Sequence, residues 1–219
     1  MFYGFWDLFL HPDAFFARIS QENVNLLPPF AIVGAGALFF TIIHVLFWVW
    51  DSSGWSFAVL TYGGPAQNII ASFITASVIM PFCIWGLFSV LIFALSRIAG
   101  GTGSFLVTIQ NLGYGMVPWT ISAVLPFLVY LHKFSTYTGG PVIGGYSGIW
   151  LMPLGFCALP LLGIMIWSCY LWAVAVVHTD NLPFRISAVI TFVPVCGFLL
   201  VSVPVVYYLE LIWSLIVSI

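Results

Sequence analysis

The sequence predicts an all-α fold: a polytopic membrane helical bundle of about five transmembrane helices, preceded by an amphipathic N-terminal interfacial helix. Three observations carry this reading. Of 219 residues, 63% are apolar and only 5% are charged, where a soluble domain carries about a quarter. Mean hydropathy is +1.17. The four cations and six acids leave five long charge-free runs, 23–50, 52–96, 98–132, 134–179 and 186–209, each sufficient for the ~20 residues that cross a hydrocarbon core about 30 Å thick. With so little polar surface available, the outside must face lipid.

Residues 1–27 form the amphipathic N-terminal segment. Phe2, Phe5, Trp6 and Phe9 recur at helical spacing, His11-Pro12-Asp13 punctuates the chain, and Phe15, Phe16 and Ile19 resume an apolar stripe beside Asp13, Arg18 and Glu22. Aromatics favour the headgroup level, so the segment suits the interface with its acids in water. The alternative is that the stripe packs on the bundle without touching lipid. No small-residue cleavage site follows an apolar core here, and the first span is expected to act as its own insertion signal.

Residues 28–219 form the five-helix transmembrane domain, with spans near 28–50, 66–96, 104–131, 149–177 and 185–209. The two longest runs open with stretches rich in Gly and Pro, through Gly63-Gly64-Pro65 and Gly139-Gly140-Pro141, which read as loops because lipid-exposed backbone must be bonded within a helix. Glu210 then falls at the far interface, with an apolar tail along the headgroups. Arg18, Arg97 and Arg185 fall on the side of the amino terminus and Lys133 on the other. The positive-inside rule therefore places the amino terminus in the cytoplasm and the carboxyl terminus outside.

The four cysteines lie inside spans and form no C-x-x-C pair, so they read as small apolar helix residues. The four histidines are isolated, and no metal site is expected from them. No catalytic motif, cofactor-binding pattern or basic patch for nucleic acid is present.

The most distinctive stretch runs from Arg97 through Gly100, Gly101, Gly103 and Ser104 into a span holding Gln110, Asn111, Tyr114 and Pro118. The glycines permit a tight hairpin and Ser104 is a natural N-cap. Gln110 and Asn111 are amides inside a span, and they seek partners either in the bundle or in a wet cavity. The eight residues are candidate functional or packing positions.

Here the sequence resembles a known family. Ala99-Gly-Gly-Thr-Gly-Ser-Phe105, followed by Gly113-Tyr-Gly and Pro118, resembles the "GG-x-GSF … Y … P" signature of the YIP family, the Ypt/Rab-interacting membrane proteins. His11-Pro-Asp-Ala-Phe-Phe-Ala-Arg18 looks like its entry motif "P-x-x-F-F-x-R", and Trp167 through Pro194 is similar to its closing helix pair. The resemblance implies a helical bundle with a cytoplasmic amino terminus that oligomerises, engages other membrane proteins and has no enzymatic activity. The chain lacks the family's D-L-Y-G-P motif, with Leu10 after Asp7-Leu8-Phe9, so GTPase binding is not carried over. A bare domain of this kind fits a prokaryotic plasma-membrane protein.

The expected function is a non-enzymatic membrane scaffold that homo-oligomerises or shapes the bilayer. The alternative is a small transporter or channel with a polar path near Gln110 and Asn111. A topology reporter tests the orientation: one at Gly101 is expected to face the cytoplasm and one at Gly140 the opposite side, and cytoplasmic labelling at Gly140 contradicts the arrangement.

Overall fold

A computed structural model describes residues 6–51, 65–122 and 147–217. The expected outer loops, the part of the third span beyond Ser122 and the Glu210 side chain lie outside the described residues. Within them every regular element is a helix: α1 Asp7–Leu10, α2 Pro12–Ile19, α3 Leu27–Asp51, α4 Pro65–Ile98, α5 Phe105–Tyr114, α6 Val117–Ser122, α7 Ser147–Asp180 and α8 Phe184–Val217.

The helix ends follow local chemistry. Pro12 and Pro65 open α2 and α4, where the missing N–H would have had no intrahelical partner. Asn25 accepts the Leu27 N–H through Oδ1 at the start of α3. Ser104 is extended and its Oγ accepts from Val107 N, capping α5. After α7, Asn181 takes a left-handed conformation with φ 57°, which Asn tolerates better than most residues and which ends a helix. Pro183 follows, and α8 starts at Phe184.

Among residues with described side chains, Ser77–Ile98 of α4 and Leu162–Asp180 of α7 are long and apolar enough to cross a membrane, and Leu27–Ile42 and Phe184–Phe198 are shorter apolar helices. Half of the α7 stretch is buried but only 22% of the α4 stretch. Helix α7 is therefore central, contacting α2, α5, α6 and α8, whereas α4 contacts α3, α5 and α8 and turns Ile79, Leu87 and Val90 outward. Trp85, Phe88 and Ile92 of α4 meet Leu112 of α5, Trp172 and Val176 of α7, and Ile190 and Val195 of α8 in the main core. In lipid such contacts stabilise through close packing, since leaving lipid for a helix interface gains little hydrophobic free energy.

Two features go beyond the sequence reading. The N-terminal segment is two helices, and its stripe is largely spent on the protein: Leu8, Phe15, Phe16 and Ile19 are buried with Tyr114, Val117, Leu171, Val174 and Ala175. The described part of the third span is two helices. It breaks between α5 and α6, at Gly115 and Met116. Pro118 has no N–H to give to Tyr114 O, and its ring disfavours a helical carbonyl four residues back.

The break frees backbone groups that need partners away from water. Met116 N bonds Gly113 O instead of Leu112 O, and the Trp172 indole supplies the missing donor, with Nε1 2.9 Å from Leu112 O. The Gly115 Cα lies against that indole, where a Cβ would collide with it. From the other side Trp85 Nε1 donates to Ile109 O at 3.0 Å. Trp172→Phe keeps an aromatic side chain, smaller than the indole, and removes the donor. It is expected to lower thermal stability by about 1–3 kcal/mol, the cost of a buried unsatisfied carbonyl, and an unchanged melting temperature in detergent contradicts this account of the break.

Candidate functional site

Six of the eight candidate residues, Gly100, Gly101, Gly103, Ser104, Gln110 and Asn111, fall where the α4–α5 loop, the α7–α8 turn and the α2–α3 connection meet at one end of the bundle, and Tyr114 and Pro118 lie deeper. Arg97, in the last turn of α4, donates from Nη1 to Gly101 O at 3.0 Å and from Nη2 to Gly103 O, while its guanidinium lies over the Phe93 ring. The loop is thus gathered onto the helix it leaves.

The loop is also sewn to α7. Thr102 N donates to Asp180 O and Gly103 N to Asp180 Oδ1, each at 3.1 Å. Asn181 Nδ2 reaches Thr102 Oγ1 at 3.3 Å. Asp180 is 1% exposed, and a carboxylate removed from water needs such donors.

The three loop glycines serve different ends. Gly100 has φ +90° in open space, a turn conformation that side chains resist. Gly101 and Gly103 have no such angle, and close approach explains them. A Cβ on Gly101 would strike Ser96 and Asp180, and one on Gly103 would strike Thr179 O and Asp180 Oδ1.

One turn into α5, Gln110 and Asn111 are buried. Gln110 Oε1 accepts the Asn25 N–H at 2.6 Å, holding the α2–α3 connection. Asn111 Nδ2 donates to Ser20 Oγ and Thr179 Oγ1, both at 2.8 Å, so one amide joins the end of α2, α5 and the end of α7. Asn111 Oδ1 is buried with no hydrogen-bond partner among the described residues. Tyr114, a turn deeper, packs edge-on against Phe15 at 5.2 Å, and Pro118 lies in α6 past the break. At the rim, His178 Nε2 and Asp13 Oδ1 are 2.8 Å apart, linking α7 to α2.

Reading the sequence missed Asp180, Thr179, Ser20 and Ser96. Asp180 carried a usable signal: an acid at the end of a span, beside a turn on the same side as a glycine cluster, in a chain with few charges. The three hydroxyl residues carried none, because Ser and Thr are common in membrane helices as packing and capping residues.

The arrangement defines a class, an all-helical polytopic membrane protein whose loops at one end are closed over buried polar side chains. The chain belongs to the Yip1 domain family, which matches residues 6–207. An uncharacterized protein of Methanocaldococcus jannaschii is similar, 28% identical over 132 residues that cover 57% of this chain and 88% of the relative. No solved structure matches the chain.

Substitutions separate the two glycine roles. Gly103→Ala is expected to lower folded yield strongly, since backbone and carboxylate atoms must move, whereas Gly100→Ala, with free space around it, should cost only about 1 kcal/mol of backbone strain. Asp180→Ala should destabilise by about 1–3 kcal/mol through the stranded Gly103 N–H, and Asp180→Asn, which retains an acceptor, by less. Thermal melts in detergent that order these variants differently contradict the assignment.

Proposed function

We propose that this Yip1-domain protein is a non-enzymatic scaffold that homo-oligomerises or shapes the bilayer and engages other membrane proteins through its lipid-facing helices. The observation that carries the reading is the commitment of the two amides of α5. Gln110 is bonded to Asn25, and Asn111 to Ser20 and Thr179, so the side chains best suited to line a polar path serve as ties between helices. The family-like residues behave similarly. Phe15 and Phe16 are core, Ser104 is a cap, and Gly101 and Gly103 sit where neighbouring atoms leave no room for a side chain.

The polar layer gathers the N-terminal helices, the α4–α5 loop and the α7–α8 turn at one end. Arg18 lies in α2, and Arg97 and Arg185 lie in the helix turns next to those connections, which supports placing that end in the cytoplasm. GTPase binding is not part of the proposal.

The transport reading draws on the buried Asn111 Oδ1, which has no hydrogen-bond partner among the described residues and which a bound water would satisfy. Reconstitution decides between the two. In proteoliposomes the scaffold reading predicts cross-linked oligomers that persist as the protein is diluted in lipid, with no ion or small-solute flux above that of empty vesicles. Flux that is lost in Asn111→Ala or Gln110→Ala, while folded yield is kept, overturns it.

A further inference from the structure

The short helix α1 has an unexpected pair of faces. Leu8 on one face is fully buried in the core shared with α5, α6 and α7. The opposite face is apolar too, with Trp6 and Leu10 each 69% exposed. A helix resting on a protein in water turns polar residues outward. Helix α2 does so, with Asp13 and Arg18 largely outside.

Depth along α7 distinguishes the two helices. Asp13 of α2 pairs with His178 and Ser20 after α2 faces Thr179 through Asn111, so α2 lies at the polar end of the bundle. Phe9 of α1 packs at a tilt against Trp167 with ring centroids 5.4 Å apart, and Trp6 packs at a tilt against Phe9. From His178 back to Trp167 is about 17 Å of helix at 1.5 Å per residue, comparable with the ~15 Å hydrocarbon depth of one leaflet. Flanking Trp167, Leu162, Ile166 and Tyr170 face outward from α7, so the exposed side of α1 continues the lipid-facing surface of the span.

We infer that α1 is embedded among the acyl chains of one leaflet and that the water boundary runs between α1 and α2. The occupant of the Trp6 and Leu10 face is lipid hydrocarbon. One charge would oppose this placement, the Asp7 carboxylate, and it has a neutralising partner. Arg18 Nη1 reaches Asp7 Oδ2 at 3.4 Å from the water-side helix, with a long apolar stem suited to crossing the boundary. An unpaired carboxylate at that depth is costly, and a paired one is tolerated. The inference concerns where α1 sits and holds whether the bundle is a scaffold or a conduit.

Photo-cross-linking in proteoliposomes of phosphatidylethanolamine and phosphatidylglycerol tests it. A benzophenone amino acid at position 10, where the open surface accommodates the larger ring, is expected to form phospholipid adducts detectable by mass spectrometry, and one at position 13 is not. Absence of lipid adducts at position 10, or cross-links there to a second copy in place of lipid, overturns the inference. With the label at position 10, Arg18→Gln is expected to reduce lipid adducts by about tenfold, because Asp7 is then unpaired and drawn to water. Adding Asp7→Asn should restore them. Equal adduct yield in all three backgrounds contradicts the role given to the ion pair.

Discussion

Thr179 and Asp180 are the two residues on which the closed end of the molecule depends. The Thr179 hydroxyl takes the Asn111 amide, which also holds Ser20, and Asp180 takes two consecutive amides of the glycine loop, one on its backbone oxygen and one on its carboxylate. Neighbouring groups at the end of one helix thereby fix α2, α5 and the α4–α5 loop together. The underlying constraint is that polar groups withdrawn from water at the edge of a bilayer must be satisfied by other parts of the protein. That constraint also accounts for the glycines, because two amides reach Asp180 only if the loop backbone lies almost on the end of α7.

The same rule operates deeper in the bundle. Pro118 breaks a helix that would otherwise satisfy itself, and the cost is met by an indole on a neighbouring helix, with Gly115 providing the space for it. Trp85 makes a second indole-to-carbonyl bond one turn earlier. The α5–α6 segment is thus held between α4 and α7 by directed bonds in addition to packing. Such bonds fix one register, which apolar contact alone does weakly where lipid and side chains are equally apolar.

Much of this was legible in the residues. Charge-free runs identify apolar helices because a hydrocarbon core admits few charges, and Ser104 and the Gly100 turn follow from local backbone chemistry. The glycine signature and the amides stood out in the sequence, but their partners were hidden, since Asn111 meets residues 91 and 68 positions away in sequence. Spacing along one helix carries no information about such distant contacts. The aromatic stripe at the amino terminus was visible as a pattern, but a stripe looks the same whether protein or lipid covers it. Phe15 and Phe16 went to the protein, and Trp6 and Leu10 remained outside. Pro118 marked a possible bend, but membrane helices often tolerate Pro, and the break itself is seen in the helix bounds and in the bonds of Met116 and Trp172.

The central claim is that the glycine loop is a fixed part of the bundle, bonded to the end of α7. Amide hydrogen exchange in lipid nanodiscs measures this directly, because an unbonded glycine-rich loop at the membrane edge exchanges rapidly and a buried, bonded one does not. The account predicts that the Thr102 and Gly103 amides exchange as slowly as those of the adjoining turns of α5, and that Asp180→Ala releases Gly103. Rapid exchange at both amides in the unmodified protein would contradict it.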